Sequence, residues 1–228
     1  MEMRQYFVIS NTGADGTSNL NVDLSKFNRL VIYEWSIPYT FYNIYSYNQL
    51  FNINGDSFNI PIKNYNINTL KTQIESQSGG TTITFDTTTY KTTISRSANF
   101  TIVYTPFLEL LGFDSTQTLT GLSTYTGINV FNLNKHVNNL FVKSINLYNT
   151  LNYKPLGRDN QTEGFITNIT SGNFSFGNVI TNFNSRDIEL PIHTNSTNIP
   201  SVSCELSDYN GNSISLNGQD MLLFCYIE

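Results

Sequence analysis

Short runs of apolar residues, separated by clusters of Gly, Asn, Asp and Ser, recur along the whole chain. Runs of this length with turn-forming residues between them are typical of the strands of a β-sandwich or barrel. The pattern predicts strands at 6–10, 30–37, 50–53, 57–60, 82–85, 91–95, 100–104, 127–131, 140–146, 164–169, 174–180, 187–192, 202–206 and 221–227. The fold class expected from this rhythm is all-β, with antiparallel sheets.

The run at 30–37 has the strongest strand pattern. Successive side chains of a strand point to opposite faces, so an alternation with period two predicts that Val31, Tyr33, Trp35 and Ile37 share one face and line the core. Pro38 is expected to end the strand, because proline has no N–H to donate to a neighbour.

Two segments break the β pattern. At 67–77, Ile67, Leu70 and Ile74 recur at helical spacing, with Asn68 as the predicted N-cap. At 106–113 a proline, which tolerates the first position of a helix, precedes a cluster of Leu and Phe. The sequence therefore predicts two short helices, each held in place by packing on a sheet.

Composition supports strands over helices and limits the function. Only 13% of residues are charged and 14% are aromatic, which suits a pleated surface and favours β structure. A surface so poor in charge is expected to be covered by neighbouring subunits, although a monomer solvated by Asn and Thr is the alternative. The net charge of −5, with no basic stripe, argues against direct nucleic-acid binding. No apolar run approaches 18 residues, so we expect no membrane span and an unsecreted chain.

Candidate chemistry is sparse. The chain has two cysteines, Cys204 and Cys225, which are expected to be small buried apolar side chains, because an unsecreted chain meets a reducing environment. Neither has the spacing of a zinc site. His136 and His193 are interpreted as surface or core histidines, and no nucleotide-binding, metalloprotease or hydrolase motif occurs. We therefore predict no enzyme activity, no cofactor and no metal.

A tyrosine-rich stretch is the one candidate binding platform. It consists of Tyr39, Tyr42, Tyr45 and Tyr47. Tyrosine combines a large apolar face with a polar tip, so the four rings could stack on sugars or contact a partner protein. The alternative is a loop packed on the sandwich, and the sequence does not decide between the two.

A family resemblance rests on three stretches of the chain. The first is PIKNYNINTLKTQIESQ at 61–77, the second is TITFDTTTYKTTISRSANFTIVYTPFLELLGFD at 82–114, and the third is SLNGQDMLLFCYIE at 215–228. In this order they resemble the small capsid proteins of virophages and polinton-like viruses. The residues that carry the resemblance are Tyr65, Leu70, Ile74, Ile83, Phe85, Ile94, Phe100, Leu110, Leu111, Gly112 and Phe113.

The resemblance implies a single jelly-roll sandwich over residues 1–228, with a helix, a hairpin and a helical turn in an inserted segment at about 61–125. It implies the penton, or vertex, protein, because 228 residues are too few for the two jelly rolls of the major shell protein. The expected assembly is a homopentamer, with a trimer as the alternative, beside the neighbouring major capsid protein. The expected location is the virion, assembled in the infected host cell.

A second function belongs to a different class. On this hypothesis the chain is a carbohydrate- or receptor-binding β-sandwich of a viral attachment protein, and the tyrosine-rich stretch contacts the ligand. Mass measurement in solution tests the first hypothesis, and glycan-array binding tests the second.

Overall fold

The computed structural model describes residues 4–11, 17–18, 27–144, 165–170, 175–181, 187–191 and 202–228. These residues form fifteen strands and two short helices, and every strand pair is antiparallel. The predicted all-β jelly-roll class is therefore confirmed. The chain divides into two compact units. Unit 1 comprises Met1–Phe41 and Asn138–Glu228, and unit 2 comprises Tyr42–Val137.

Unit 1 is built of ten strands within the described residues. They are β1 (Gln5–Asn11), β2 (Thr17–Ser18), β3 (Arg29–Pro38), β9 (Asn139–Lys143), β10 (Phe165–Thr170), β11 (Val179–Thr181), β12 (Ile188–Pro191), β13 (Val202–Ser203), β14 (Glu205–Ser207) and β15 (Met221–Ile227). Unit 2 contributes β4 to β8, given below. A large sheet has the order β1-β15-β3, with β11 and β12 both paired to β3, and a small sheet has the order β10-β9-β14. Strands β2 and β13 pair separately.

The register between β15 and β3 contains a β-bulge. Leu223 lies opposite Trp35 and Cys225 lies opposite Ile32, so two steps along β15 correspond to three steps along β3. The extra residue of β3 falls at Tyr33 or its neighbour. A bulge of this kind shifts the alternation of the strand, so the side chains beyond it change face.

Because of the bulge, the residues of β3 that face the core differ from those predicted. Trp35 and Ile37 point to the same side as Ile32, and Tyr33 points to the other side with Val31. The prediction that Val31, Tyr33, Trp35 and Ile37 share one face is therefore wrong. Trp35 and Ile37 are buried as expected, and Val31 is buried too, whereas Tyr33 is partly exposed.

The core of unit 1 contains both cysteines. Cys225 lies on the inner side of the large sheet, Cys204 directly precedes β14 of the small sheet, and the two thiols are close enough to interact electrostatically. Both are free and buried. Burial raises the pKa of Cys204 to about 12, partly offset by a hydrogen bond with Ser144, and burial raises the pKa of Cys225 as well. The prediction of small buried thiols is confirmed.

Unit 2 combines a sheet with both helices. Its elements are β4 (Leu50–Ile53), β5 (Asp56–Asn59), α1 (Ile67–Gln77), β6 (Thr81–Phe85), β7 (Thr92–Val103), α2 (Pro106–Leu110) and β8 (Thr120–Thr126). The sheet order is β5-β4-β7-β6, and β8 pairs with β7. One apolar core joins α1, α2 and the sheet through buried residues such as Leu70, Ile83, Phe107 and Phe113.

The first helix has the predicted bounds and a different cap. The side chain of Asn66 accepts a hydrogen bond from the amide of Thr69, and the hydroxyl of Thr69 accepts one from the amide of Asn66. This reciprocal capping box satisfies two amides of the first turn. The N-cap is therefore Asn66, and Asn68 lies inside the helix. Leu70 and Ile74 are its buried residues, as the helical spacing predicts.

The second helix begins at Pro106 and ends in a Schellman motif. The amide of Phe113 donates to the carbonyl of Leu108, and the amide of Gly112 donates to the carbonyl of Glu109. Gly112 has a φ of +83°, the left-handed conformation this motif requires. Leu108 and Phe113 are both buried, as is usual for the apolar pair that accompanies this motif.

Three predicted strands of unit 2 are wrong in detail. The runs at 91–95 and 100–104 belong to a single strand, β7, and the run at 127–131 is not a strand. The strand that pairs with β7 is β8, which lies in the chain just before the predicted run at 127–131. In β8 only Tyr125 is buried, so the strand has almost no apolar face to reveal it in the sequence.

Candidate assembly surface

The outer face of the large sheet in unit 1 carries a set of aromatic and apolar side chains. The cross-strand rows on this face run over β1, β15 and β3. They are Arg4–Glu228–Arg29, Tyr6–Tyr226–Val31, Val8–Phe224–Glu34 and Ser10–Leu222–Ser36. We call this surface the aromatic face and define it by Tyr6, Val8, Tyr33, Glu34, Phe224 and Tyr226.

Four rings of the aromatic face contact one another. The ring centroids of Tyr6 and Tyr226 are 5.5 Å apart, those of Tyr6 and Tyr33 are 6.1 Å apart, and those of Tyr33 and Phe224 are 6.4 Å apart. Tyr6 meets Tyr33 edge to face, an arrangement that aromatic pairs favour at these distances. The bulge in β3 is what places Tyr33 in this cluster.

Ion pairs border the aromatic face on one side. Glu228 accepts hydrogen bonds from the Nε of Arg4 at 2.7 Å and from the Nε of Arg29 at 2.6 Å. Arg29 also reaches Glu189 on β12 at 2.8 Å, and the guanidinium of Arg4 lies 4.7 Å above the ring of Tyr226. Burial alone would raise the pKa of Glu228, but Arg29 and Arg4 hold it below its usual range. The charged side chains of this border are therefore paired with one another.

The β1 side of the aromatic face is open to solvent within the single chain, whereas Tyr226 on the middle strand is buried. Tyr6 is 61% exposed and Val8 is 47% exposed. Glu34 lies in the same cross-strand row as Val8, with Phe224 between them, and its carboxylate makes no hydrogen bond or ion pair with any part of the chain that the structure describes. The pKa of Tyr33 is raised, chiefly by burial and then by the negative charge of Glu34, so this phenol stays neutral at physiological pH. An exposed apolar patch on a sheet is typical of a contact surface.

The tyrosine-rich stretch is divided between the two units. Tyr39 belongs to unit 1, where it is buried with its ring centroid 4.4 Å from that of Phe41. Tyr42, Tyr45 and Tyr47 belong to unit 2, where Tyr45 is buried and the other two are partly exposed. The use of these four tyrosines as a contact platform stays a prediction.

A polar cluster of unit 2 surrounds Glu109. Its carboxylate accepts from the hydroxyl of Tyr104 at 2.7 Å and pairs with Lys135 at 3.1 Å. His136 lies 3.9 Å from the same carboxylate, with its Nε2 3.2 Å from the carbonyl of Pro106 and the ring of Tyr47 at its edge. His136 is therefore a core histidine, as one of the two interpretations held, and His193 lies outside the described residues.

The described residues reveal no metal centre and no membrane helix. No three side chains of His, Cys, Asp or Glu in these ranges gather closely enough to hold an ion. Over the same ranges, neither helix has the length and apolar character that a bilayer crossing needs.

The aromatic face was missed in the sequence, although the sequence contains a signal for it. In β1 Tyr6 and Val8 alternate with Phe7 and Ile9, and in β15 Phe224 and Tyr226 alternate with Leu223 and Cys225. Both strands have large side chains on both sides, which is typical of a sheet whose outer face is also covered. Only the pairing of β1 with β15 brings the two ends of the chain together.

Of the comparisons with known proteins, the one with solved structures supports the fold. No protein-family model matches the chain, and no curated protein sequence matches it. The crystal structure of the penton protein of mavirus is similar to the whole chain, with a TM-score of 0.54 and 13% sequence identity. The similarity covers 100% of this chain and 99% of the mavirus protein. The resemblance to penton proteins inferred from the sequence is therefore confirmed at the level of the fold.

Proposed function

We propose that the chain is the penton protein of an icosahedral viral capsid, and that five copies form a ring at each five-fold vertex. The observation that carries the proposal is the end-to-end similarity to the mavirus penton protein, which includes both units of the chain. A jelly roll alone is shared by many proteins with unrelated functions, and its presence would support much less.

The surface of unit 1 supports the proposal that the protein assembles with copies of itself. A ring requires two different patches on each subunit that bind each other, because a head-to-tail contact repeats until it closes. The aromatic face supplies one such patch, with exposed Tyr6 and Val8 around a cluster of rings. Interface cores favour aromatic residues and contain few charges, which matches this face.

The role proposed is structural and not enzymatic. The ring would lie in the virion, beside the major capsid protein that surrounds each vertex, after assembly in the infected host cell. A trimer is the alternative assembly, since jelly rolls also form trimers. Contacts held mainly by apolar area and neutral hydrogen bonds should depend little on salt, because screening acts on charges and acts weakly on a charge that is buried in the contact.

The test is the mass of the purified protein in solution. We expect native mass spectrometry and sedimentation at tens of micromolar protein to give five subunits, and negative-stain images to show five-fold rings. The rings should persist in several hundred millimolar salt. A monomer under these conditions would contradict the proposal, and glycan-array binding by that monomer would favour the carbohydrate-binding function instead.

A further inference from the structure

The aromatic face of unit 1 has a counterpart on the opposite side of the same unit. The small sheet turns Phe141, Lys143 and Glu205 outward, since Val142 and Leu206 between them are buried. The ring of Tyr209 lies 6.1 Å from that of Phe141 and is largely exposed. We call this surface the small-sheet face and define it by Phe141, Lys143, Glu205 and Tyr209.

Each of the two faces carries a charge without a partner. Unit 1 has three described cations, and Arg4 and Arg29 are both paired with carboxylates. Lys143 makes no ion pair with the described residues, and Glu205, its neighbour across the strands, accepts a hydrogen bond from the hydroxyl of Ser213. The Lys143 ammonium lies over Gly211. Lys143 is thus the one unpaired cation in the described part of unit 1.

Glu34 is the matching anion at the centre of the aromatic face. Covering this face with a purely apolar partner would bury the carboxylate without compensation, which is unfavourable. A partner that covers the rings must therefore bring a cation to Glu34. The small-sheet face of a second copy offers Lys143 together with the rings of Phe141 and Tyr209.

We infer that the aromatic face of one copy binds the small-sheet face of the next, with Glu34 meeting Lys143 across the contact. This inference rests on the proposed ring and specifies its interface. The two faces lie on opposite sides of one sandwich, so the contact is head-to-tail and each copy uses both faces. The contact closes into a ring when each copy is turned by one fifth of a circle from the last.

Charge reversal tests the pairing. We expect Glu34→Lys and Lys143→Glu each to weaken assembly about a hundredfold or more, because each variant places like charges opposite one another. The double variant, with both changes, should restore the ring seen by native mass spectrometry. Asp56→Lys is the control, since it makes the same charge change at the exposed first residue of β5 in unit 2. Circular dichroism verifies that each variant is folded.

The outcomes separate this inference from the proposed function. A wild-type protein that forms no ring overturns both. A wild-type ring that persists in both folded single variants overturns only the interface. Folded single variants that lose the ring, with no recovery in the double variant, also overturn the pairing of Glu34 with Lys143.

Disulfide trapping provides a second measurement with a different readout. Under mild oxidation, the variant carrying both Glu34→Cys and Lys143→Cys should give a ladder of covalent oligomers that ends at the ring size. Each single cysteine variant should stay monomeric on denaturing gels, since the two native cysteines are buried. Efficient dimers from Glu34→Cys alone would show that two aromatic faces meet each other, and would overturn the head-to-tail contact.

Discussion

A Cβ atom on Gly112 would clash with the carbonyl oxygen of Asn129, and the amide of Asn129 donates a hydrogen bond to the carbonyl of Gly112 at 3.0 Å. Gly112 thus serves two purposes in unit 2. Its left-handed backbone ends α2, and its missing side chain allows the segment after β8 to cross it closely. The two demands act on the same residue, so no other amino acid satisfies both.

Replacement of Gly112 by Ala should therefore destabilise the protein by about 2–5 kcal/mol, the sum of left-handed strain and a clash with rigid backbone. Gly55→Ala is the matched control, because Gly55 has a similar φ of +86° and nothing within 4 Å of a Cβ atom. The control should lose only about 1–2 kcal/mol. Urea unfolding of both variants measures the difference, and equal losses would show that the close approach is unimportant.

Trp35 and Tyr33 should differ sharply in their contribution to stability. Trp35 points into the core opposite Leu223, so Trp35→Ala should cost about 3–5 kcal/mol. Tyr33 lies on the outer face because of the bulge, and Tyr33→Ala should cost clearly less, about 1–2 kcal/mol in the isolated subunit. Thermal melting at low protein concentration compares the two. If Tyr33→Ala is as damaging as Trp35→Ala, the bulge is misplaced.

Glu109 should make the stability of unit 2 depend on pH. Burial alone would raise the pKa of Glu109, but Tyr104, Lys135 and His136 hold it below its ordinary value. A lowered pKa means that the stabilisation is complete above the pKa of the unfolded chain and is lost as pH falls through the folded value. Glu109→Gln should cost about 1–2 kcal/mol at neutral pH. The loss relative to wild type should shrink between about pH 5 and about pH 3.

Unfolding curves at a series of pH values measure this difference. Asp56→Asn is the control, since Asp56 is exposed and its carboxylate makes no hydrogen bond or ion pair with the described residues. The assignment fails if the difference between Glu109→Gln and wild type is constant with pH.

Cys204 and Cys225 should be unreactive in the folded protein. Both are buried, and burial raises the pKa of each thiol, so almost no thiolate forms near pH 8. A thiol reagent such as a chromogenic disulfide should react with both thiols only after the protein is unfolded in concentrated guanidinium chloride. Rapid reaction without denaturant would mean that the core between the sheets opens readily.

Local signals in the sequence predicted the elements whose causes are local. The bounds of α1 follow from the spacing of Leu70 and Ile74, and the start of α2 follows from Pro106, although α2 ends at Leu110 and not at the predicted residue 113. Even the error at the N-cap is small, since Asn66 and Asn68 are chemically alike and only the geometry with Thr69 distinguishes them. In these segments, interactions between residues close together in the chain determine the structure.

Features that depend on distant partners were not predictable in the same way. The bulge at Tyr33 exists because β3 pairs with β15, which lies far along the chain. The aromatic face forms only when three strands pair in a given order. Whether Glu34 has a partner among the described residues can be judged only from that strand order. A strand such as β8, whose side chains are mostly exposed, has little alternation of apolar and polar residues to detect.

The position of β15 between β1 and β3 affects how the protein can be made on the ribosome. Strands β1 and β3 are synthesised early, but the strand that joins them, β15, is the last of the described strands in chain order. During translation of everything in between, the two early strands have no β15 to pair with, so their edges are open to wrong partners. The aromatic face is assembled only when β15 arrives, so incomplete chains lack this surface and should not join the ring.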